Sequence, residues 1–141
     1  FAVEVGDRIP CVSLPHLDGE ESCILESNPN QKYTIVDISI ASCAACRVNV
    51  EQLIKLDNLT TDNTLTRLVM LNNNESTRKF ARKYEITFPT AYDTKGLAET
   101  VFELTYLPYL LVVDERQIVI YKHEGVLSEN DIQHILSLTT Q

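Results

Sequence analysis

The chain contains no tryptophan, one methionine and only four glycines. None of the four glycines builds the glycine-rich loop that cradles a nucleotide phosphate. Long apolar runs are also missing. No stretch approaches the ~20 residues that a membrane-spanning helix requires. Positive charge is scarce, with 12 Lys and Arg against 20 Asp and Glu, a formal net charge of −8. Such a chain is a poor partner for a phosphate backbone, so nucleic acid is not expected as a ligand. The three histidines, His16, His123 and His134, are scattered, with no pair at a metal-ligand spacing near a cysteine. The sequence opens Phe1-Ala-Val-Glu without an initiator methionine. The expectation is a trimmed or mature form, from which a leader or lipid anchor could have been removed.

What is present fits one domain over residues 1–141, long enough to bury a core without staples. Its centre is Asp37-Ile-Ser-Ile-Ala-Ser-Cys43-Ala-Ala-Cys46-Arg47. An apolar, β-branched run, Tyr33 to Ile40, leads into it and reads as a buried strand. A helical pattern leaves it, with Cys46, Val50, Leu53 and Ile54 on one face, over about 44–59. The two cysteines therefore sit where a strand ends and a helix begins. The first turn of a helix has unpaired N–H groups and a positive dipole end, and both stabilise a thiolate. Cys43 is expected at that end, open to solvent, with Cys46 one turn further in. Two cysteines so placed close and reopen a small disulfide ring by thiolate attack. Asp37 is the anomaly in the strand. A buried carboxylate costs several kcal/mol unless it is neutral, paired or hydrated.

Around this centre the pattern is regular. Cys11 to Leu14 and Glu21 to Ile24 are short strand candidates around His16-Leu-Asp-Gly19. Thr64 to Leu71 is a strand, and Thr77 to Tyr84 a helix with Phe80, Ala81 and Tyr84 inward. Arg78, Lys79, Arg82 and Lys83 read as its solvated face. Leu97 to Leu104 is a short helix. Leu110 to Val113 and Gln117 to Tyr121 are strands around Asp114-Glu-Arg116. Ser128-x-x-Asp131 caps a last helix that buries Ile132, Ile135 and Leu136. The order is hairpin, β, α, β, α, short α, β, β, α, which makes a three-layer α/β domain with a mixed sheet. Cys11 and Cys23 flank the turn signal Asp18-Gly19. They are either a structural disulfide or two small buried residues. A tight turn there places Cys23 opposite Leu14, so a bridge needs a bulge or a longer loop.

The Cys43–Cys46 stretch resembles the active site of thioredoxin-like proteins, and the whole chain resembles their exported TlpA/ResA-type branch. The resemblance implies a thioredoxin-like fold, with residues 1–32 as an N-terminal hairpin extension and 33–141 as the core. It assigns attack to Cys43 and resolution to Cys46, and matches Asp37 to thioredoxin's buried acid. It likens Tyr106-Leu107-Pro108-Tyr109 to the cis-proline loop facing the disulfide, with Leu107 offering backbone hydrogen bonds to substrate. Three positions depart from the family. Ser42 stands where tryptophan is typical, Asn49 where a glutamate often lies near the disulfide, and Glu51 where a kinking proline is usual.

The resemblance implies a thiol–disulfide oxidoreductase without a dissociable cofactor, acting on protein disulfides and recharged by a membrane or soluble thiol donor. A reductant is expected, because Ala44-Ala45 supplies no charge or histidine between the cysteines. The resemblance also implies an exported, periplasmic or extracytoplasmic monomer, with work of the kind that keeps apocytochrome c cysteines reduced. The rival readings are a Cu(I) carrier, with His123 as the candidate third ligand, and a redox-inactive interaction module. A peroxidase of the related peroxiredoxin type needs Pro-x-x-x-Thr-x-x-Cys, and this chain lacks that proline and threonine.

Overall fold

The computed structural model describes residues 2–140. Two short strands, β1 (Ser13–Pro15) and β2 (Glu21–Cys23), pair antiparallel near the N-terminus. There follow β3 (Tyr33–Ser39), α1 (Ala44–Leu59), β4 (Thr64–Met70), α2 (Asn74–Lys83), β5 (Thr90–Tyr92), α3 (Leu97–Val101), β6 (Tyr109–Asp114), β7 (Val119–Glu124) and α4 (Glu129–Thr139). The main sheet has the order β5-β4-β3-β6-β7. Strands β3, β4 and β5 are parallel, while β6 and β7 run antiparallel to their neighbours. This is the mixed three-layer α/β arrangement of a thioredoxin-like fold.

Strand β3 lies at the centre of the sheet, and all seven of its residues are buried. Its alternation divides the core. Ile35 faces Val50, Leu53 and Leu56 of α1, Phe80 of α2, and Ile132 and Ile135 of α4. Val36 and Ile38 face the other way, toward Val3, Ile9, Val12, Leu14, Ile24 and Leu25, with Ala98 and Phe102. The N-terminal segment is therefore the second outer layer of the sandwich. Lys32 and Tyr33 mark where it ends, but its apolar residues belong to the same core as β3.

Several element boundaries differ from expectation for local reasons. Helix α2 starts at Asn74, because Asn73 caps it and its Oδ1 accepts from Ser76 N at 2.8 Å. Helix α3 stops at Val101, and Glu103 takes a left-handed backbone with φ 51°. Strand β5 is absent from the sequence reading; it is three residues between Pro89 and Asp93, made a strand by pairing with β4. The capping box of α4 forms as expected, with Ser128 and Asp131 each accepting from the other's backbone N–H. The four cations of α2 are exposed.

The hairpin register corrects the tight-turn expectation. Cys23 lies opposite Ser13, not Leu14, because Pro15 pairs with Glu21 and the loop takes residues 16–20. His16 N donates to Glu20 O at 2.8 Å and Gly19 N to His16 O at 3.0 Å inside that loop. A shift of one residue moves a side chain to the other face of a strand. It brings Cys23 to the side of Cys11, and the two form a disulfide with Cα atoms 5.5 Å apart. The bridge adds to the apolar side chains and backbone hydrogen bonds, such as Gly6 N to Val119 O and Leu17 N to Thr90 O, that hold this layer. Replacing Cys11 and Cys23 by serine is expected to lower stability by about 3 kcal/mol, the loop-closure value for a ring of this size. Denaturant midpoints of the two proteins under non-reducing conditions measure it. Thiol counting on Cys43→Ala/Cys46→Ala protein, denatured without reductant, should find no free thiol.

Candidate active site

The chain must leave a central buried strand and enter a helix through a short loop, Ile40 to Cys43. Two side chains hold that loop. Asn72 Oδ1 accepts from Ala41 N at 3.0 Å, and Arg47 Nη1 donates to Ala41 O at 2.9 Å. Cys43 is the N-cap of α1, with extended backbone at φ −86° and ψ 119°. Its Sγ accepts from Cys46 N at 3.1 Å, so sulfur takes the place that a serine or aspartate oxygen holds at an ordinary cap. Both cysteines are free thiols; Cys43 is half-buried and Cys46 is 1% exposed.

The Leu107–Pro108 peptide is cis. It closes the loop before β6, and Leu107 O accepts from Cys43 Sγ at 3.8 Å. Pro108 and Tyr109 are buried behind it, while Tyr106 is exposed at the rim. The cysteine at the helix start and the proline loop thus face each other across the open end of the sheet.

Asp37 is fully buried. Ser39 Oγ donates to its Oδ2 at 2.8 Å and Asn49 Nδ2 to its Oδ1 at 3.2 Å. Burial pushes its carboxyl up to about 7, against the opposing pull of these two hydrogen bonds. Cys46 is pushed up to about 12, first by burial and then by its hydrogen bond with Cys43, while the Ile40 backbone and the Ser39 hydroxyl pull it down. The site therefore pairs a half-open thiol at a helix N-terminus with a shielded, strongly protonated one.

Sequence reasoning misses Asn49 as a site residue. Its side chain is buried and bridges two parts of the fold, donating to Asp37 and accepting from Leu127 N at 2.8 Å. A signal for it exists: a polar residue three positions after Cys46, on the face that buries Val50 and Leu53. Glu51 is exposed. His123 is half-buried, its Nε2 lying 3.2 Å from Val126 O and 3.4 Å from Asp131 Oδ2. Among the described residues no three His, Cys, Asp or Glu side chains gather where they could hold a metal ion.

A redox-spaced dithiol at the head of a central helix, a cis-proline loop against it and a mixed sheet beneath define a thioredoxin-like thiol–disulfide oxidoreductase. The Redoxin family model matches residues 4–136, and the chain belongs to that family. It is 25% identical over 140 residues to the thioredoxin-like protein YneN of Bacillus subtilis (strain 168), covering 96% of this chain and 81% of that protein. Among solved structures it is similar to the thioredoxin domain of thiol-disulfide oxidoreductase BVU-2223 from Bacteroides vulgatus. That match has a TM-score of 0.83 and 18% identity, and covers 98% of this chain and 99% of the other. StoA from Bacillus subtilis is also similar, with a TM-score of 0.74 and 19% identity over 94% of this chain and 99% of that one.

The raised carboxyl couples stability to pH. An unfolded aspartate titrates near 3.8 and the folded one near 7, so between these values the folded state binds more protons. Stability then falls as pH rises through that window. Asp37→Asn removes the ionisation. Relative to this variant, the reduced wild-type protein is expected to lose up to about 4 kcal/mol between pH 4 and pH 8, each tenfold difference in proton affinity being worth about 1.4 kcal/mol. Denaturant midpoints of both proteins at the two pH values check it. A gap that does not widen with pH would show that Asp37 ionises as readily in the folded chain as in the unfolded one.

Proposed function

We propose that this protein reduces disulfides of exported proteins, with Cys43 and Cys46 as its redox pair. The observation that carries the reading is the asymmetry of the two thiols. Cys43 Sγ sits half-open at the N-terminus of α1, 3.8 Å from Leu107 O, while Cys46 is shielded behind it. The Cys43 thiolate attacks the substrate disulfide and forms a mixed disulfide. Cys46 then attacks Cys43 Sγ, the substrate leaves as a dithiol, and the Cys43–Cys46 disulfide remains. Two electrons and two protons pass to the substrate. Asp37 takes the Cys46 proton, which a carboxylate poised near neutral pH suits. Leu107 and Pro108 hold an extended substrate segment by its backbone.

The Cys11–Cys23 bridge fits an oxidising, extracytoplasmic compartment, periplasmic or equivalent. In that setting a reductant needs electrons from elsewhere, and a membrane or soluble thiol donor supplies them. Cytochrome c maturation, where cysteines must be kept reduced, is the substrate setting that this reading favours. The protein acts as a monomer.

Insulin reduction with a dithiol donor tests the activity, and the potential of the Cys43–Cys46 couple tests its direction. A value near ~−270 mV supports a reductant, and one near ~−120 mV an oxidant. Alkylation tests the roles. A sub-stoichiometric alkylating agent should label Cys43 in the reduced protein, read by peptide mass spectrometry; predominant labelling at Cys46 would reverse the assignment. Asp37→Asn should slow turnover at pH 7 while leaving the alkylation rate of Cys43 nearly unchanged.

A further inference from the structure

We propose that Ser39 carries the proton from Cys46 to Asp37, which makes it a third catalytic side chain beside the dithiol. The proposal rests on the reading of Asp37 given above and concerns how that carboxylate is reached.

The placement follows from how α1 packs on β3. Asp37 and Ser39 are two residues apart on one strand and share the face that looks toward α1. Cys46 and Asn49 are three apart on α1 and share the face that looks toward β3. The Asn49–Asp37 hydrogen bond, 3.2 Å, fixes one rung between the two elements. From that rung, moving toward the strand end reaches Ser39, and moving toward the helix start reaches Cys46. The strand rises about 3.3 Å per residue and the helix about 1.5 Å, so both steps run several ångströms in one direction. This puts Ser39 on the level of Cys46, as Asp37 is on the level of Asn49. Ser39 is also among the groups that pull the Cys46 thiol down, against the larger effect of burial.

Asp37 has two side-chain neighbours, and only one can relay a proton. Asn49 has an amide that donates but does not give up its proton, and its oxygen is held by Leu127 N. Ser39 donates to Asp37 Oδ2 at 2.8 Å, and its oxygen keeps lone pairs to accept from Cys46. The residue is 2% exposed, so bulk water does not compete for either position. As the mixed disulfide resolves, the Cys46 Sγ–H proton moves to Ser39 Oγ, and the Ser39 hydroxyl proton moves to the Asp37 carboxylate. The Cys46 sulfur forms its bond to Cys43 Sγ, and the bond between Cys43 and the substrate sulfur breaks. The substrate sulfur leaves with the electron pair. Ser39 ends the step unchanged, and Asp37 ends it protonated.

The test follows the decay of a mixed disulfide between Cys43 and a chromogenic thiol, across pH, in wild-type, Asp37→Asn, Ser39→Ala and Ser39→Thr proteins. Ser39→Ala is expected to slow resolution at pH 7 by about 100-fold, the lower end of what a positioned acid–base group contributes. It should also remove the rise in rate near pH 7, leave Cys43 alkylation unchanged, and be rescued in large part by threonine. Combining Ser39→Ala with Asp37→Asn should add little further loss. If Asp37→Asn is slow and Ser39→Ala is as fast as wild type, the proton reaches Asp37 directly or through water, and the Ser39 bridge is wrong while Asp37 keeps its role. If neither variant is slow, the role of Asp37 fails and the bridge with it. Wild-type protein gives a reading that needs no variant. Resolution rates in mixtures of light and heavy water should curve with isotope fraction, as two protons in flight require; a straight line overturns the bridge.

Discussion

The structure turns on one buried carboxylate. Asp37 sits in the central strand, out of reach of solvent, with two neutral donors to hold it. A charge in such a place is costly unless the protein supplies hydrogen bonds to replace its hydration. Here one donor comes from the strand itself, Ser39, and one from the helix packed on it, Asn49. The second is the stronger constraint on the fold. Asn49 also accepts from Leu127 N, just before α4, so three segments meet at one amide. The carboxylate, the register of α1 against β3 and the approach of the last helix are therefore set together.

That constraint explains why the cysteines lie where they do. With Asn49 fixed over Asp37, the helix start is fixed three residues back at Cys46 and six residues back at Cys43. The loop that joins strand to helix has little freedom left, and Asn72 and Arg47 remove most of it through Ala41. On the opposite side of the sheet the N-terminal layer covers Val36 and Ile38, so the central strand is shielded on both faces. Deeper shielding raises the Asp37 carboxyl further, so a layer far from the cysteines helps set the proton affinity beside them.

The parts that can be read from the sequence are those with a local cause. The Cys43–Cys46 pair falls between a β-branched run and a period of three to four, and both periodicities are visible within a dozen residues. Helix α1 accordingly matches its expected span, and α4 announces itself by Ser128 and Asp131. The parts that cannot be read have causes elsewhere in the chain. Strand β5 exists because β4 offers it an edge, and three residues carry no periodicity of their own. The β1–β2 register depends on a five-residue loop rather than on its Asp18-Gly19 signal. Asn49 looks like an interruption of an apolar face until Asp37 is placed beneath it. Buried polar pairs of this kind are legible only as pairs: each member alone reads as a defect, and distance along the chain hides the match.

The two thiols show what the arrangement achieves. They are three residues apart, yet one borders solvent at a helix N-terminus and the other is buried in the core. In the proposed cycle attack falls to the first, because a nucleophile must be accessible. In the same cycle resolution falls to the second, whose thiol stays protonated until the mixed disulfide has formed. Burial, with the hydrogen bond to Cys43, favours that state by pushing the Cys46 thiol up to about 12. In the proposed cycle a base that titrates near neutral pH makes the delay temporary, and burial is what brings the Asp37 carboxyl to that value. The same desolvation thus raises both Cys46 and the group proposed to take its proton, and both effects come from packing α1 against the centre of the sheet.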